Sequence, residues 1–330
     1  MSKMSIETER RALNGPTMGT RWSALFYTTG AFDRGPVQDA LQAAVDEVDA
    51  QMSTWKQDSD LMRLNAAPPG TWVKVPKRLM EVLALALDIG RASGGAFDIG
   101  MGDAVAAWGF GPAAADQRLI RNALDAARQP AHTVLELDIP NAAVRKAAPI
   151  TLDLNGIAKG YGVDRLAATL RDFGISSGLV GIDGEMRALG LRPNGQPWAI
   201  AIEAPDTDRR ASHSLLALQD AAVATSGDYR HVVTVQGQRL SHTMDPMTGA
   251  PLRSSPASVT VVARSCAEAD AWATALMVLG STTGGELATR HGLDVLFLIR
   301  EANGFKVHAV GPLFDGVAVP GADREVPAIG

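Results

Sequence analysis

The chain has 330 residues, 46% of them hydrophobic and 20% charged, enough to bury a sizeable core as one large or two closely joined domains. A formal net charge of -5, with no Lys/Arg-rich block, excludes a nucleic-acid or anionic-membrane surface as the main partner, so any bound anion must be held by a local site. The single cysteine, Cys266, cannot form an internal disulfide and falls in a helix-like run as a small buried apolar residue.

The first residues, "MSKMSIETERRALNGPTMGT", carry charges where an export signal needs an apolar stretch, and no cysteine that could be lipidated follows. As the sequence stands, the expected location is the cytoplasm. No apolar run reaches the roughly 18 residues of a membrane span. Residues 37–52 repeat apolar side chains at spacings of three and four and are expected to form an amphipathic helix, as are 77–92 and 116–128. From about Val134 the texture changes to short β-branched runs bounded by Gly, Pro, Asn or Asp: 134–138, 150–154, 178–183, 198–204, 231–235, 257–263 and 294–299. Hairpins are expected around Gln236 and Gly237 and around Asn303 and Gly304, the Asn-Gly pair being the stronger signal. Two further helices, 156–173 and 265–279, lie between strands. The chain is therefore expected to fold as α+β, with a mixed, largely antiparallel sheet and packed helices, and a loosely ordered tail after Asp315.

Four stretches carry candidate chemistry. "LDLNGIAKGYGVDR" (152–165) ends a strand at Leu154, turns through Asn155 and Gly156, and opens a helix with Lys159 and Gly160. Free N–H groups at a helix start, glycines for close backbone approach and a lysine charge suit a phosphate; a tight turn with a solvated lysine uses the same residues. In "SCAEADAWATALMVLG" (265–280), Asp270 and Thr274 stand four apart on one helix face, where hard oxygen ligands could hold a phosphate-bound Mg²⁺. An exposed Asp and a threonine bonded back to its own helix fit the same spacing. "SHTMDPMTG" (241–249) puts His242 near an Asp-Pro turn at Asp245, either a general base beside a loop or a surface turn. In "MSTWKQDSDLMRLN" (52–65), Trp55 could stack on a flat ligand or join the core. The glycine-rich turns "SGGAFDIGMGD" and "TSGDYRH" carry Asp98, Asp103 and Asp228, each most simply a turn residue.

Taken in order, "PTMGTRW", "MSTWKQDSDLMRLN", "GGAFDIGMGDAVAAWGFG", "LDLNGIAKGYGVDRLAATL", "GLVGIDGEMRALG", "AVATSGDYRH", "SHTMDPMTGAPL" and "SVTVVARSCAEADAWATALMVLG" closely resemble the ApbE family of FAD:protein FMN transferases over roughly residues 15–300. The resemblance implies an N-terminal extension (1–14), a flavin transferase domain (15–314) and a C-terminal tail (315–330). It also implies a Mg²⁺-dependent enzyme that cleaves FAD, moves FMN onto a threonine or serine hydroxyl of a target flavoprotein, and releases AMP. Positions matching the family's FAD site are Met18, Trp55, Ala96, Phe97, Asp98, Asp153, Lys159 and the backbone of Met244; those matching its metal site are the carbonyl of Gly156, Asp270 and Thr274. His242 matches a histidine of the flavin-binding loop, and His242 and Asp245 are the candidate bases, with Lys159 reinforcing the metal's charge. Two departures stand out: Trp55 replaces the usual tyrosine, and Asp183 in "GIDGEMRA" replaces a glycine. The same metal site would equally serve a FAD pyrophosphatase; a flavin carrier without turnover is the third reading, and Asp270, Thr274 and Lys159 count against it because a carrier needs no metal to polarise the pyrophosphate.

Overall fold

An antiparallel sheet of eight strands runs through the computed structural model, which describes residues 8–205, 212–228, 232–235, 238–252, 256–302 and 304–315. Its strands lie side by side in chain order: β1 (Thr8–Thr17), β2 (Thr20–Thr29), β3 (Gly178–Ile182), β4 (Glu185–Leu189), β5 (Ala222–Gly227), β6 (Ser258–Ala263), β7 (Asp294–Glu301) and β8 (Gly304–Val310). The helices are α1 (Arg34–Met52), α2 (Asp60–Ala66), α3 (Lys77–Ala92), α4 (Gly102–Ala107), α5 (Gln117–Asp125), α6 (Ala131–Val134), α7 (Ala158–Asp172) and α8 (Cys266–His291). This is the expected α+β architecture. No described helix is long and apolar enough to cross a membrane.

Both faces of the sheet are covered, which is why its central strands read as unbroken apolar runs. Val259 and Val261 of β6, with Val295 and Phe297 of β7, pack under α3 and α8. The alternate residues Val262, Leu296 and Leu298 face a two-stranded hairpin, Trp198–Glu203 with Ser212–Leu218, which seats Ile200, Ile202, Leu216 and Leu218 on the opposite side. Toward β1, Trp22 and Phe26 close a second core with Val37, Leu41 and Val45 of α1 and Val163, Leu166 and Leu170 of α7.

Several expectations change. Residues 8–14 belong to β1, paired from Thr8 with Thr29 onward, and are not an extension. An edge strand is polar on its open side, and the exposed residues of β1 hid it from a search for apolar alternation. Residues 150–154 are extended but form no strand: their backbone bonds run from Gly102 N to Thr151 O (2.9 Å) and from Asp153 N to Ile99 O (2.8 Å). In 134–138 a short helix precedes the strand Leu135–Asp138. Val232–Val235 and Gln238–Ser241 pair as the expected hairpin, as do β7 and β8, although the turn residues Gln236, Gly237 and Asn303 lie outside the described residues. The helix expected over 265–279 is present and capped by the Ser265–Glu268 box; it breaks at Gly280 (φ 73°, ψ 176°) before continuing to His291.

Helices α7 and α8 meet at Gly160, where an added Cβ would lie 2.3 Å from Cys266 O and 2.8 Å from Asp270 Cβ. The neighbour that would have to move is backbone. Gly160→Ala is expected to destabilise the protein by about 3 kcal/mol or more, read as a lowered midpoint in thermal or urea unfolding; an unchanged midpoint would show that the two helices can part freely.

Candidate active site

Tight turns at one end of the sheet begin the site. Met18 and Gly19 join β1 to β2, and Asp183 and Gly184 join β3 to β4, each a two-residue turn with positive φ at both positions (44° and 72°; 52° and 121°). Neither Met18 nor Asp183 has a glycine's freedom, so both tips hold a non-glycine residue in the left-handed region. At Asp183 this accounts for the glycine usual in the resembled family. Both tips open onto a cleft of about 1150 Å³.

The cleft is lined by Met18, Trp55, Ala96, Phe97, Asp98, Asp153, Gly156, Lys159, His242, Met244, Asp270 and Thr274, so residues 256 positions apart in sequence share one wall system. Asp245 is absent from that lining. Its carboxylate instead accepts bonds from Met247 N (2.9 Å) and Thr248 Oγ1 (3.0 Å), closing its own Asp-Pro turn. Asp245 is therefore a turn residue, and His242 is the candidate base that reaches the cleft. The His242 ring lies edge-on to Phe110, centroids 6.4 Å apart. Trp55 is 61% exposed, a wall of the cleft and not a core residue.

Two acids serve local structure as well as lining. Asp98 Oδ1 accepts from Gly100 N (2.8 Å) and Ala131 N (3.0 Å), fixing the loop that presents Ala96 and Phe97. Burial raises its pKa against those bonds. Asp153 accepts from Asn155 N (2.8 Å) and Asn155 Nδ2 (3.0 Å), and burial pushes it up to about 6. Asp103 and Asp228 are ion-paired, with Arg128 (2.9 Å) and Arg300, and belong to the scaffold.

At the junction of α7 and α8 the charges crowd together. Lys159 Nζ donates to Glu185 Oε1 (2.7 Å) and lies 3.6 Å from Asp183 Oδ2. Burial works against its charge, but Glu185, Asp270 and Asp183 together raise its pKa above the ordinary lysine value. The lysine expected to face a ligand is thus already engaged by carboxylates. Asp270, 5% exposed, accepts from Gly160 N through Oδ2 (3.0 Å). Burial, then the charge of Glu185, pushes its pKa up to about 7 against the pull of Lys159. Glu185 is 4% exposed, and its Oε2 has no hydrogen-bond partner among the described residues. Three carboxylates around one lysine leave an excess of negative charge that a cation would relieve.

Gly156 brings backbone against α8: a Cβ there would sit 3.1 Å from Thr274 Oγ1, which in turn lies 3.3 Å from Ser226 Oγ. Asp270 and Thr274 offer a carboxylate and a hydroxyl one turn apart on the cleft wall, hard oxygen donors of the kind that Mg²⁺ takes together with backbone carbonyls, water and phosphate. Among the described residues no group of three or more His, Cys, Asp and Glu side chains gathers as a metal site. Glu185 and Ser226 were not anticipated. Glu185 occupies a strand position where only its burial distinguishes it from a surface acid, and Ser226 lies in "TSGDYRH", where Asp228 is the more conspicuous residue.

Comparison with known proteins agrees with this geometry. The ApbE family model matches residues 18–297. A FAD:protein FMN transferase of Vibrio cholerae is 37% identical over 91% of this chain and 91% of its own, and one of Escherichia coli K12 is 35% identical over 91% and 87%. Among solved structures, the apo flavinyl transferase ApbE of Pseudomonas stutzeri superposes with a TM-score of 0.82 at 36% identity, covering 95% of this chain and 98% of that one. The flavin transferase ApbE of Vibrio cholerae gives 0.81 at 34%, covering 94% and 99%. The fold is that of a family of enzymes, and these relatives are flavin transferases. The chain belongs to that family, ApbE.

The raised Asp270 gives a pH prediction. Between its ordinary value of 3.8 and about 7 the folded protein holds a proton that the unfolded chain releases, so stability falls as pH rises through that window. Asp270→Asn, which keeps an acceptor for Gly160 N, is expected to remove this component. Urea unfolding of the metal-free protein at pH 4 to 8 checks it: parallel curves for the two proteins would refute the assigned burial cost.

Proposed function

We propose that the protein transfers FMN from FAD to a threonine or serine hydroxyl of a target flavoprotein, releasing AMP, with Mg²⁺ as cofactor. The observation that carries this reading is the corner formed by Gly156, Asp270 and Thr274, beside the carboxylate of Glu185 and opening onto a cleft of about 1150 Å³, room enough for a dinucleotide. Gly156 through its carbonyl, Asp270 and Thr274 would hold the ion, which when bound supplies neutralisation of the pyrophosphate oxygens.

The chain's own residues do the rest. Trp55 and Phe97 offer flat apolar surface to the isoalloxazine ring, and Met18 at its strained tip closes the side of the cleft. Asp98 and Asp153 hold in place the loops that line the cleft where FAD would lie. Lys159, fixed by Glu185, opposes the rise in proton affinity that burial and Glu185 impose on Asp270. His242 accepts the proton of the attacking hydroxyl. A new bond forms between that oxygen and the FMN phosphorus, the pyrophosphate bond to AMP breaks, and AMP leaves with the electron pair. Water in place of the protein hydroxyl would give FMN and AMP, and the exposed Trp55 leaves a side of the cleft open to it.

Incubation with FAD, Mg²⁺ and a flavoprotein encoded beside this gene is expected to give a covalent FMN adduct on a threonine or serine, seen as a mass shift on the peptide. Steady FMN release without an adduct on any such protein would replace the transferase by the hydrolase. Asp270→Ala is expected to lower both activities by about 100-fold or more; unchanged turnover would remove the proposed ion site. Trp55→Tyr is expected to change the ratio of transfer to hydrolysis, and an unaltered ratio would show that the flank does not select the acceptor.

A further inference from the structure

The segment that carries Asp153 and Gly156 is held from two sides. On one side Gly102 N and Ile99 O bond its backbone at Thr151 and Asp153. On the other there is no strand but a single side chain, Asn65, the last polar residue of "MSTWKQDSDLMRLN". Its Nδ2 donates to Leu152 O (2.9 Å) and its Oδ1 accepts from Leu152 N (2.8 Å), so one amide makes both bonds that a neighbouring strand residue would make. Asn65 is itself tied down: Lys146 Nζ donates to its backbone carbonyl (2.7 Å), and α2, on which it stands, is capped by Ser59.

We infer that Asn65 is a positioning residue for the active site, the side chain that sets the register of residues 151–156 and so places Asp153 for FAD and the Gly156 carbonyl for Mg²⁺. The inference rests on the functional reading above. Asn65 touches neither ligand; it acts through the backbone of Leu152, one residue before Asp153 and four before Gly156. Its geometry is specific to an amide. Leucine would fill the space and lose both bonds, aspartate would keep the acceptor for Leu152 N and lose the donor to Leu152 O, and glutamine would overshoot a partner already at 2.8 Å. Removing one bidentate amide also leaves Leu152 N–H and C=O to find other partners inside the wall of the cleft.

The test separates positioning from packing. Asn65→Ala is compared with Leu64→Ala, a neighbouring substitution of a fully buried α2 side chain that lies outside the cleft. Two readouts besides turnover are used: the FAD dissociation constant from flavin fluorescence, and the Mg²⁺ concentration that half-saturates the thermal stabilisation of the FAD-loaded protein. Asn65→Ala is expected to raise both by about tenfold, the usual size of effect when a residue behind a ligand is lost, whereas Leu64→Ala lowers the unfolding midpoint and leaves both within about twofold. If Asn65→Ala does not yield folded protein, Asn65→Asp is measured in its place and is expected to shift the same two quantities. Values for the Asn65 variant within about twofold of the parent, or equal shifts in the Leu64 control, overturn the inference. Should the parent protein itself show no response to Mg²⁺, the metal reading fails, and Asn65 then stands or falls on the FAD constant alone.

Discussion

Everything at the active site depends on how closely α7 lies on the first turns of α8. Gly160 has no side chain at the contact, and its N–H is spent on Asp270, so the helix that carries Lys159 and the helix that carries Asp270 and Thr274 are joined at atomic distance. Asp164, one turn further along α7, strengthens the joint. Its carboxylate accepts from Cys266 N (2.9 Å) and Ala267 N (3.0 Å), capping α8 from outside, and pairs with Arg187 of β4. A buried acid of this kind is costly alone, and here two helix N–H groups and a guanidinium compensate it. Burial still raises its pKa, with Arg187 as the largest opposing influence.

The same closeness makes the charge problem. Bringing α7, α8 and the β3–β4 turn together places Lys159, Asp183, Glu185 and Asp270 in one pocket wall, where burial and the charge of Glu185 raise the proton affinity of Asp270. A protein that only needed stability would replace such a cluster by apolar side chains, since buried charges seldom repay their desolvation. Their retention in a large cleft makes sense if the folded chain is completed by something positive.

Much of this was legible in the residues, and the failures have physical causes. The helix over 77–92 has the same bounds in sequence and structure because its apolar spacing is uninterrupted. The helix from Ser265 stops its regular course at Gly280, where the glycine said it would. The Asp270–Thr274 spacing gave a true pair on the cleft wall. Asp245, next to proline, spends its carboxylate on its own turn, a use that the sequence could not tell from a part in a reaction. Residues 150–154 misled for a different reason: β-branched, alternating residues are extended there, but their pairing partners are a loop and the amide of Asn65, and no periodicity encodes a partner 87 positions away. Glu185 was invisible because burial is a tertiary property; in the sequence it is one more acid after a turn.

The sheet's strands lie in the order in which the chain makes them, and this divides the molecule into a chassis and its fittings. Neighbouring strands β2 and β3 are separated by residues 30–177, which carry Trp55, Phe97, Asp153 and Lys159; β5 and β6 are separated by the segment with His242; β6 and β7 by the helix with Asp270. Each block of chemistry is an insert between two strands that already pair with each other. An insert of this kind can be lengthened, reshaped or exchanged without altering the register of any strand pair. Selection can therefore reshape the walls of the cleft while the sheet that carries them stays in place.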